Sequence, residues 1–568
     1  MTQVTFEQAI QIAVKHYDAG QLQQSEAICR QLLAQDQNHA DALHLLGLIA
    51  HQMRHQDAAP LIQRVIALQP NNGLAYGNLA LVLLSQSRWD EALECSKQAL
   101  ALQPNIPEAH YNLGYGFHVK GELENAIACY RRALMLRSGF ALPYLNLGAA
   151  LDGLGRDDEA IAAYRRGLEL QPDSAQILNN LSHALWKQGR IQESMEHCRR
   201  AIALDPNYPE PHVNLSNALI SELRFEEAEA SLRRAIALRN DYAEAHCNLA
   251  IALLTTGKYE EGWREREWRL RKPDSSSPQR NFAEPQWDGS NLNGKTILLH
   301  GEAGLGDALQ FVRFAPHVAK RGGRVVIECK PSLLRLFQGT TDLGAQSVVV
   351  QNERGEPPPV AFDVRSPLAS LPLALGMFDP ARIPTPVPYL HADAVSEEHW
   401  RQQMSADGKR LKVGLAWAGS PTQVGDRLRS ITLATLAKLA RSDVQYYSLQ
   451  VGGGSEQAAP PPPGMELIDF ASQLGDFADT AGLISQLDLV ICVDSAVAHL
   501  AGAMGKAVWV LIPHQPDYRW LLDREDTPWY PTMRLFRQRE RGDWDEVVER
   551  VAKALDSAVN TPTEPREN

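Results

Sequence analysis

The chain has 568 residues, 44% apolar and 22% charged, which suits two to four domains with real cores and excludes a disordered protein. Its 56 Lys and Arg stand against 68 Asp and Glu, and the net charge of −12 argues against a nucleic-acid backbone as main partner. The seven cysteines form no CxxC pair and no metal-ligand spacing, as expected of small buried residues in a reducing compartment.

The N-terminus, Met1 to Ile10, has neither a basic stretch nor an apolar core, so no secretory signal is expected and the chain is predicted to be cytoplasmic. From about residue 5 a period of 34 residues follows, plainest in Asn78, Asn112, Asn146, Asn180, Asn214 and Asn248, each followed by Leu. Pro70, Pro104, Pro172 and Pro206 close repeats, with Ser138 and Asn240 at the exceptions. Ala92, Ala126, Ala160 and Ala228 mark a close approach of two helices, with Ser194 at the exception. Apolar residues between these markers recur with helical period, as in Ala126 to Leu134, and Gly121 and Gly155 punctuate the turns. About seven repeats reach residue 242, the first degenerate, and an eighth helix pair runs to about residue 270.

This pattern resembles the tetratricopeptide repeat and implies an α-solenoid over residues 1–272 with a concave binding surface. The repeated Asn lies in the first helix of each pair, where a ladder of amides could bond an extended peptide backbone. A similar ladder occurs in nucleocytoplasmic protein O-GlcNAc transferases. The six Asn residues are therefore candidate acceptor-binding residues, with local packing as the alternative; His44 holds the ladder position one repeat earlier.

After Trp263-Arg-Glu-Arg-Glu-Trp268 the helical period fades into a polar stretch, and residues 273–292 read as a linker. From Lys295 onward short apolar runs alternate with helices: 296–300, 324–327, 411–416, 444–449, 489–492 and 507–512. Strands separated by helices predict parallel sheets in two Rossmann-like lobes, 293–400 and 401–560, followed by a disordered tail at 561–568. The stretch Leu487 to Ile512 is the most apolar of the chain, but Asp488, Asp494, His499 and Lys506 predict buried strand and helix, not a membrane span. Pro460 to Pro463 reads as a rigid surface loop, and Asp543 to Leu555 as a helix sealing the lobes.

Two motifs sit where a strand turns into a helix. Gly301-Glu-Ala-Gly304-Leu-Gly306-Asp307 is neither a P-loop nor a GxGxxG fingerprint, but its glycines allow close approach to a ligand. Asp494-Ser495-Ala496, followed by His499-Leu500, places a hydroxyl and free amides where a diphosphate could lie. A third segment, Leu415-Ala-Trp417-Ala-Gly-Ser420 with Asp426-Arg427-Leu-Arg429, adds positive charge.

Together these motifs resemble the heptosyltransferase-like transferases, glycosyltransferase family 9, over about residues 293–556. The resemblance implies a GT-B arrangement, with the first lobe on the acceptor side and the second on the nucleotide-sugar side. It also implies an inverting, metal-independent transfer from a nucleoside-diphosphate sugar, with no further cofactor. Asp307 would be the base, the alternative being that it only caps its helix. Gly304, Gly306, Ser420, Arg427, Arg429, Asp494, Ser495, Ala496 and His499 would hold the donor. Where the family has Asp-Thr-Gly this chain has Asp494-Ser495-Ala496, which alters how closely a donor phosphate can approach. The aromatic, charged run from Asp517 to Pro531 could wall the nucleotide site. The expected function is glycosylation of a protein recruited by the repeat groove. Transfer to a glycan or lipopolysaccharide, and a non-catalytic scaffold, are the alternatives.

Overall fold

The computed structural model describes residues 5–272, 280, 282–302, 304–351, 358, 360–383, 387–404, 411–421 and 425–560. The linker's polar start and the expected tail at 561–568 lie outside these residues. Contacts divide the chain into two compact units, Met1–Ala218 and Leu219–Asn568.

The first unit is built of helix pairs, from Phe6–Asp18 with Leu22–Gln35 to Ala175–Lys187 with Ile191–Leu204, and ends within Glu210–Ser221. Thr5 and Gln8 open it with reciprocal bonds to each other's backbone, which satisfies two free N–H groups of the first turn. The expected close approaches are observed: Ala92, Ala126 and Ala160 are fully buried, and Ser194 is buried with its hydroxyl donating to Ser182 O at 2.7 Å. A Cβ at Gly148 would lie 2.4 Å from the Tyr164 ring and one at Gly114 2.8 Å from the Tyr130 ring, so in these two pairs the aromatic fills space that only glycine leaves.

The second unit begins with the rest of that helix, then Phe225–Leu238, Ala243–Thr255 and Tyr259–Arg266, the last continued by a 3-10 turn over Glu267–Arg271. Two parallel sheets follow. The first holds β1 (Thr296–His300), β2 (Arg324–Cys329), β3 (Ala345–Val350) and β4 (Val364–Pro367), ordered β3-β2-β1-β4. The second holds β5 (Leu411–Ala416), β6 (Val444–Ser448), β7 (Leu467–Asp469), β8 (Leu489–Val493), β9 (Val508–Ile512) and β10 (Met533–Arg537), ordered β10-β9-β8-β5-β6-β7. All its ladders are parallel. β1, β5 and β8 are nearly continuous apolar runs, as strands covered on both faces require.

Four sequence boundaries shift. The last repeat helices share one core with both lobes: Trp263 stands edge-on to Phe311, Tyr518 and Trp529 at ring separations of 6.0, 5.9 and 6.5 Å. The contact units part at Ala218, inside the repeat array expected over 1–272, and the repeat helices after it bury their apolar face on the α/β region. Residues 282–292 are no free linker: Trp287 and Leu292 are buried, and Trp287 N donates to Arg365 O at 2.7 Å. The helix Ala394–Gln403, assigned by sequence to the first lobe, packs on Phe477–Ser485 of the second; a Cβ at Gly482 would meet Trp400 at 2.7 Å. The closing helix Trp544–Asn560 seals the second lobe alone, its Val547, Val548, Val551 and Leu555 joining Leu433, Leu436 and Leu439. Among the described residues no helix is long and apolar enough to cross a membrane.

Candidate functional site

Parallel sheets leave a crevice beyond the carboxyl ends of the strands, where consecutive connections leave in opposite directions. In the first sheet this point is β1, flanked by β2 and β4; in the second it lies between β5 and β8. The three motifs follow these three strands. Gly301 to Asp307 follows β1, Trp417 to Ser420 follows β5, and Asp494 to His499 follows β8.

The first and third motifs touch. Gly306 packs on the helix Ala496–Ala503 so closely that an added Cβ would lie 2.9 Å from His499 Cδ2 and 3.9 Å from Ala496 Cα. His499 is buried, stacks on Trp520 at 5.6 Å and 16°, and shares a 3.0 Å hydrogen bond between Nδ1 and the Tyr530 hydroxyl. Burial first, then Arg313 and Arg429, pull its pKa down to about 3, so the ring is neutral at physiological pH.

Asp307 does not cap its helix. Gly304 is the N-cap of Leu305–Phe311, and Asp307 stands in the first turn, where its Oδ1 accepts from Arg519 Nη2. Arg519 also donates to Asp517 Oδ1 at 2.8 Å and, through Nε, to Gln310 Oε1. Asp307, Gln310 and Arg313 follow one another at three-residue spacing and so share a helix face. Each meets the segment 517–530: Arg313 donates to Trp529 O at 2.7 Å and lies 4.8 Å from the Tyr530 ring centre. Arg519 appears in the sequence only within an aromatic run; the spacing of Asp307, Gln310 and Arg313 was the one available sign of a shared polar face.

Asp494 is buried at the end of β8, and burial raises its pKa, opposed by Arg429. Ser495 precedes the helix, and its hydroxyl is buried with no hydrogen-bond partner among the described residues. The same holds for Gln310 Nε2, Arg313 Nε and Nη2, and the Tyr518 hydroxyl. Buried polar groups left this way are costly, and these lie on the segments that follow β1 and β8 and on the run 517–530. Arg429 bonds Asp426 Oδ1 at 3.1 Å and would crowd a Cβ at Gly419; its charge acts on Asp494 and His499, which ties the third motif to the site. Arg427 and Ser420 are exposed. No group of three or more metal-ligating side chains is gathered among the described residues.

Behind the first motif, the last repeat helices grip its loop. Arg269 holds Glu302 through Nη2 at 2.7 Å, with Ser370 and Glu267 completing the network. Arg266 lies over the Tyr518 ring at 4.9 Å.

In the first unit, the ladder amides turn toward the preceding repeat. Asn112 Nδ2 donates to Gly77 O at 3.0 Å, Asn146 Nδ2 to the Tyr111 hydroxyl at 2.9 Å, and Asn214 Nδ2 to Asn179 Oδ1 at 2.8 Å. Asn78 Nδ2 meets His44 Nε2 at 2.8 Å, and Asn180 Oδ1 accepts from Asn179. All but the Asn179–Asn180 bond, which lies within one helix, link successive repeats, as the packing alternative requires; of the six, Asn112 is buried, and Asn248 is half-buried in the second unit.

Family profiles described as tetratricopeptide repeats match residues 11–73, 78–139 and 145–209, with others at 61–94 and 217–257. The first half of the chain is a tetratricopeptide-repeat array. Protein FlbA of Caulobacter vibrioides is 28% identical over 319 residues, 52% of this chain and 52% of FlbA. The chain thus spans about half the length of that relative. Among solved structures, the array is similar to the APC/C hetero-tetramer Cut9–Hcn1, with a TM-score of 0.40, 19% identity and coverage of 48% of this chain and 54% of that one. YrrB, described as a TPR protein with an unusual peptide-binding site, gives a TM-score of 0.30 at 22% identity, covering 33% of this chain and 97% of its own.

Proposed function

We propose that the α/β region is a glycosyltransferase of GT-B type, and that the repeat array recruits its protein acceptor. The observation that carries the reading is the meeting of Gly306-Asp307 with Asp494 to His499 at the switch points of two parallel sheets. That is where an open α/β fold places a ligand, and the buried, unpaired polar groups lie around it. The repeats support a protein partner, the class of ligand a solenoid face serves.

In the proposed reaction an acceptor hydroxyl oxygen forms a bond to the anomeric carbon as the bond from that carbon to the diphosphate oxygen breaks. The electron pair leaves with the nucleoside diphosphate, and the hydroxyl proton passes to the Asp307 carboxylate. Ser495, the amides following it and Arg429 would take up the charge on the diphosphate, the part a divalent cation plays elsewhere. Neutral His499 would donate or accept a hydrogen bond without adding charge. The chain would act in the cytoplasm.

Isothermal titration with a panel of nucleoside diphosphates tests the reading. Micromolar binding of one of them, lost in the Asp494→Ala, His499→Ala double variant, is expected; binding of none overturns it. Once a donor is known, Asp307→Asn should lower the rate of nucleoside-diphosphate release about 10²- to 10⁴-fold with donor affinity kept.

A further inference from the structure

The transferase reading requires a carboxylate aimed at the acceptor hydroxyl, and an aspartate on a short helix has two free torsions with which to miss. In this fold the aim is supplied from the other lobe. Arg519 lies after β9, on the segment facing the first lobe, and is buried. Each of its three nitrogens donates to a different side chain: Nη2 to Asp307, Nε to Gln310, Nη1 to Asp517 Oδ1 at 2.8 Å. Asp517 in turn accepts from Arg519 N at 3.0 Å, so backbone and guanidinium are pinned together. The Phe311 and Tyr518 rings pack against it at 5.9 and 4.6 Å.

We propose that Arg519 is the positioning residue for Asp307: a guanidinium of the second lobe that orients a first-lobe carboxylate and keeps it in its basic form. The proposal rests on Asp307 being the base. A planar guanidinium fixed by Asp517 and Gln310 presents Nη2 to Asp307 from one direction, which a lysine on a flexible stem does not. A cation at contact distance also favours the ionised carboxylate. The charged and titratable groups around the pair include Asp517 and Tyr518 on Arg519's own segment, Tyr530 further along it, His499 across Gly306, Asp494 at the end of β8, and Arg313 on the 3-10 turn that continues Asp307's helix. Arg266, from the last repeat helix, and Arg429 add positive charge from two further sides.

The test compares the full chain with Arg519→Lys and Arg519→Gln. It follows release of nucleoside diphosphate from a panel of UDP-, GDP- and ADP-sugars across pH, beside donor titration and thermal unfolding. Arg519→Gln is expected to lower kcat at least tenfold and to move the acid limb of its pH profile upward by about one unit or more, since a carboxylate without its cation takes a proton at higher pH. Arg519→Lys keeps the charge and loses the fork, so kcat falls while the acid limb stays near the wild-type position. A kcat within twofold of wild type and an unmoved acid limb in Arg519→Gln overturn the proposal. Should that variant fail to fold, a wild-type kcat in Arg519→Lys overturns it, and a tenfold loss with an unmoved limb sustains it. Wild-type protein that binds and releases no nucleotide would instead sink the transferase reading, and Arg519's role with it.

Discussion

In the repeats, side-chain ties join residues one period apart: Asn112 to Gly77 and Asn146 to Tyr111, both 35 residues away. In the α/β region, Asp307, Gln310 and Arg313 meet partners 212, 209 and 216 residues away. Contacts of the first kind form as soon as two neighbouring repeats exist, and each can be lost alone. Contacts of the second kind exist only when both lobes and the segment 517–530 are in place, since the entropy of closing so long a loop comes first. The array is thus a sum of near neighbours, whereas the candidate site is one cooperative object.

Three measurements press on that contrast. Trp263→Ala empties a position enclosed by Phe311, Tyr518 and Trp529 and should cost about 3–5 kcal/mol, read as a lower denaturant midpoint of the second unit. A loss confined to the repeats would mean that the last helix pair belongs with them after all. Asn112→Ala removes the side-chain donor that ties one repeat to the Gly77 carbonyl of the one before and should cost about 0.5–1.5 kcal/mol in urea unfolding, with nucleotide binding untouched. A change in that binding would make the ladder part of the site. The smallest effect concerns His499. Its folded pKa, about 3, lies below that of the unfolded chain, so the unfolded state takes up the proton first. The contribution is whole above about pH 6.5 and is lost as pH falls toward 3, at up to about 1.4 kcal/mol per pH unit. His499→Asn should therefore unfold with a flatter pH dependence between 6.5 and 5; parallel curves would place the ring in water.

The array was legible because its period names every helix, and Ala126 or Gly155 has the same task one repeat on. Of the strands, β1, β5, β8 and β9 announced themselves as buried apolar runs. β3, β4, β7 and β10 did not: β3 is half exposed, β4 carries Arg365, β7 has three residues, and β10 alternates Arg534 and Arg537 with apolar neighbours. The motif residues Gly306, Asp307, Asp494 and His499 could be read because each follows a strand. Arg519 could not be paired with Asp307, because no local spacing links two residues held together only by the fold. The Asn ladder shows the opposite hazard. Regular recurrence made it look like a surface for a partner, when much of its hydrogen bonding is spent between repeats.

The shared core around Trp263 bears on how this protein can be cut. A fragment begun at residue 273, where the repeat pattern stops, would uncover the faces of Phe311, Tyr518 and Trp529 that this indole shields, and would leave Glu302 without Arg269. A bare aromatic patch of that kind drives clumping at the concentrations used for purification. A fragment that keeps the helices from Glu210 onward carries its own cover, and a cut made to isolate the α/β region belongs there.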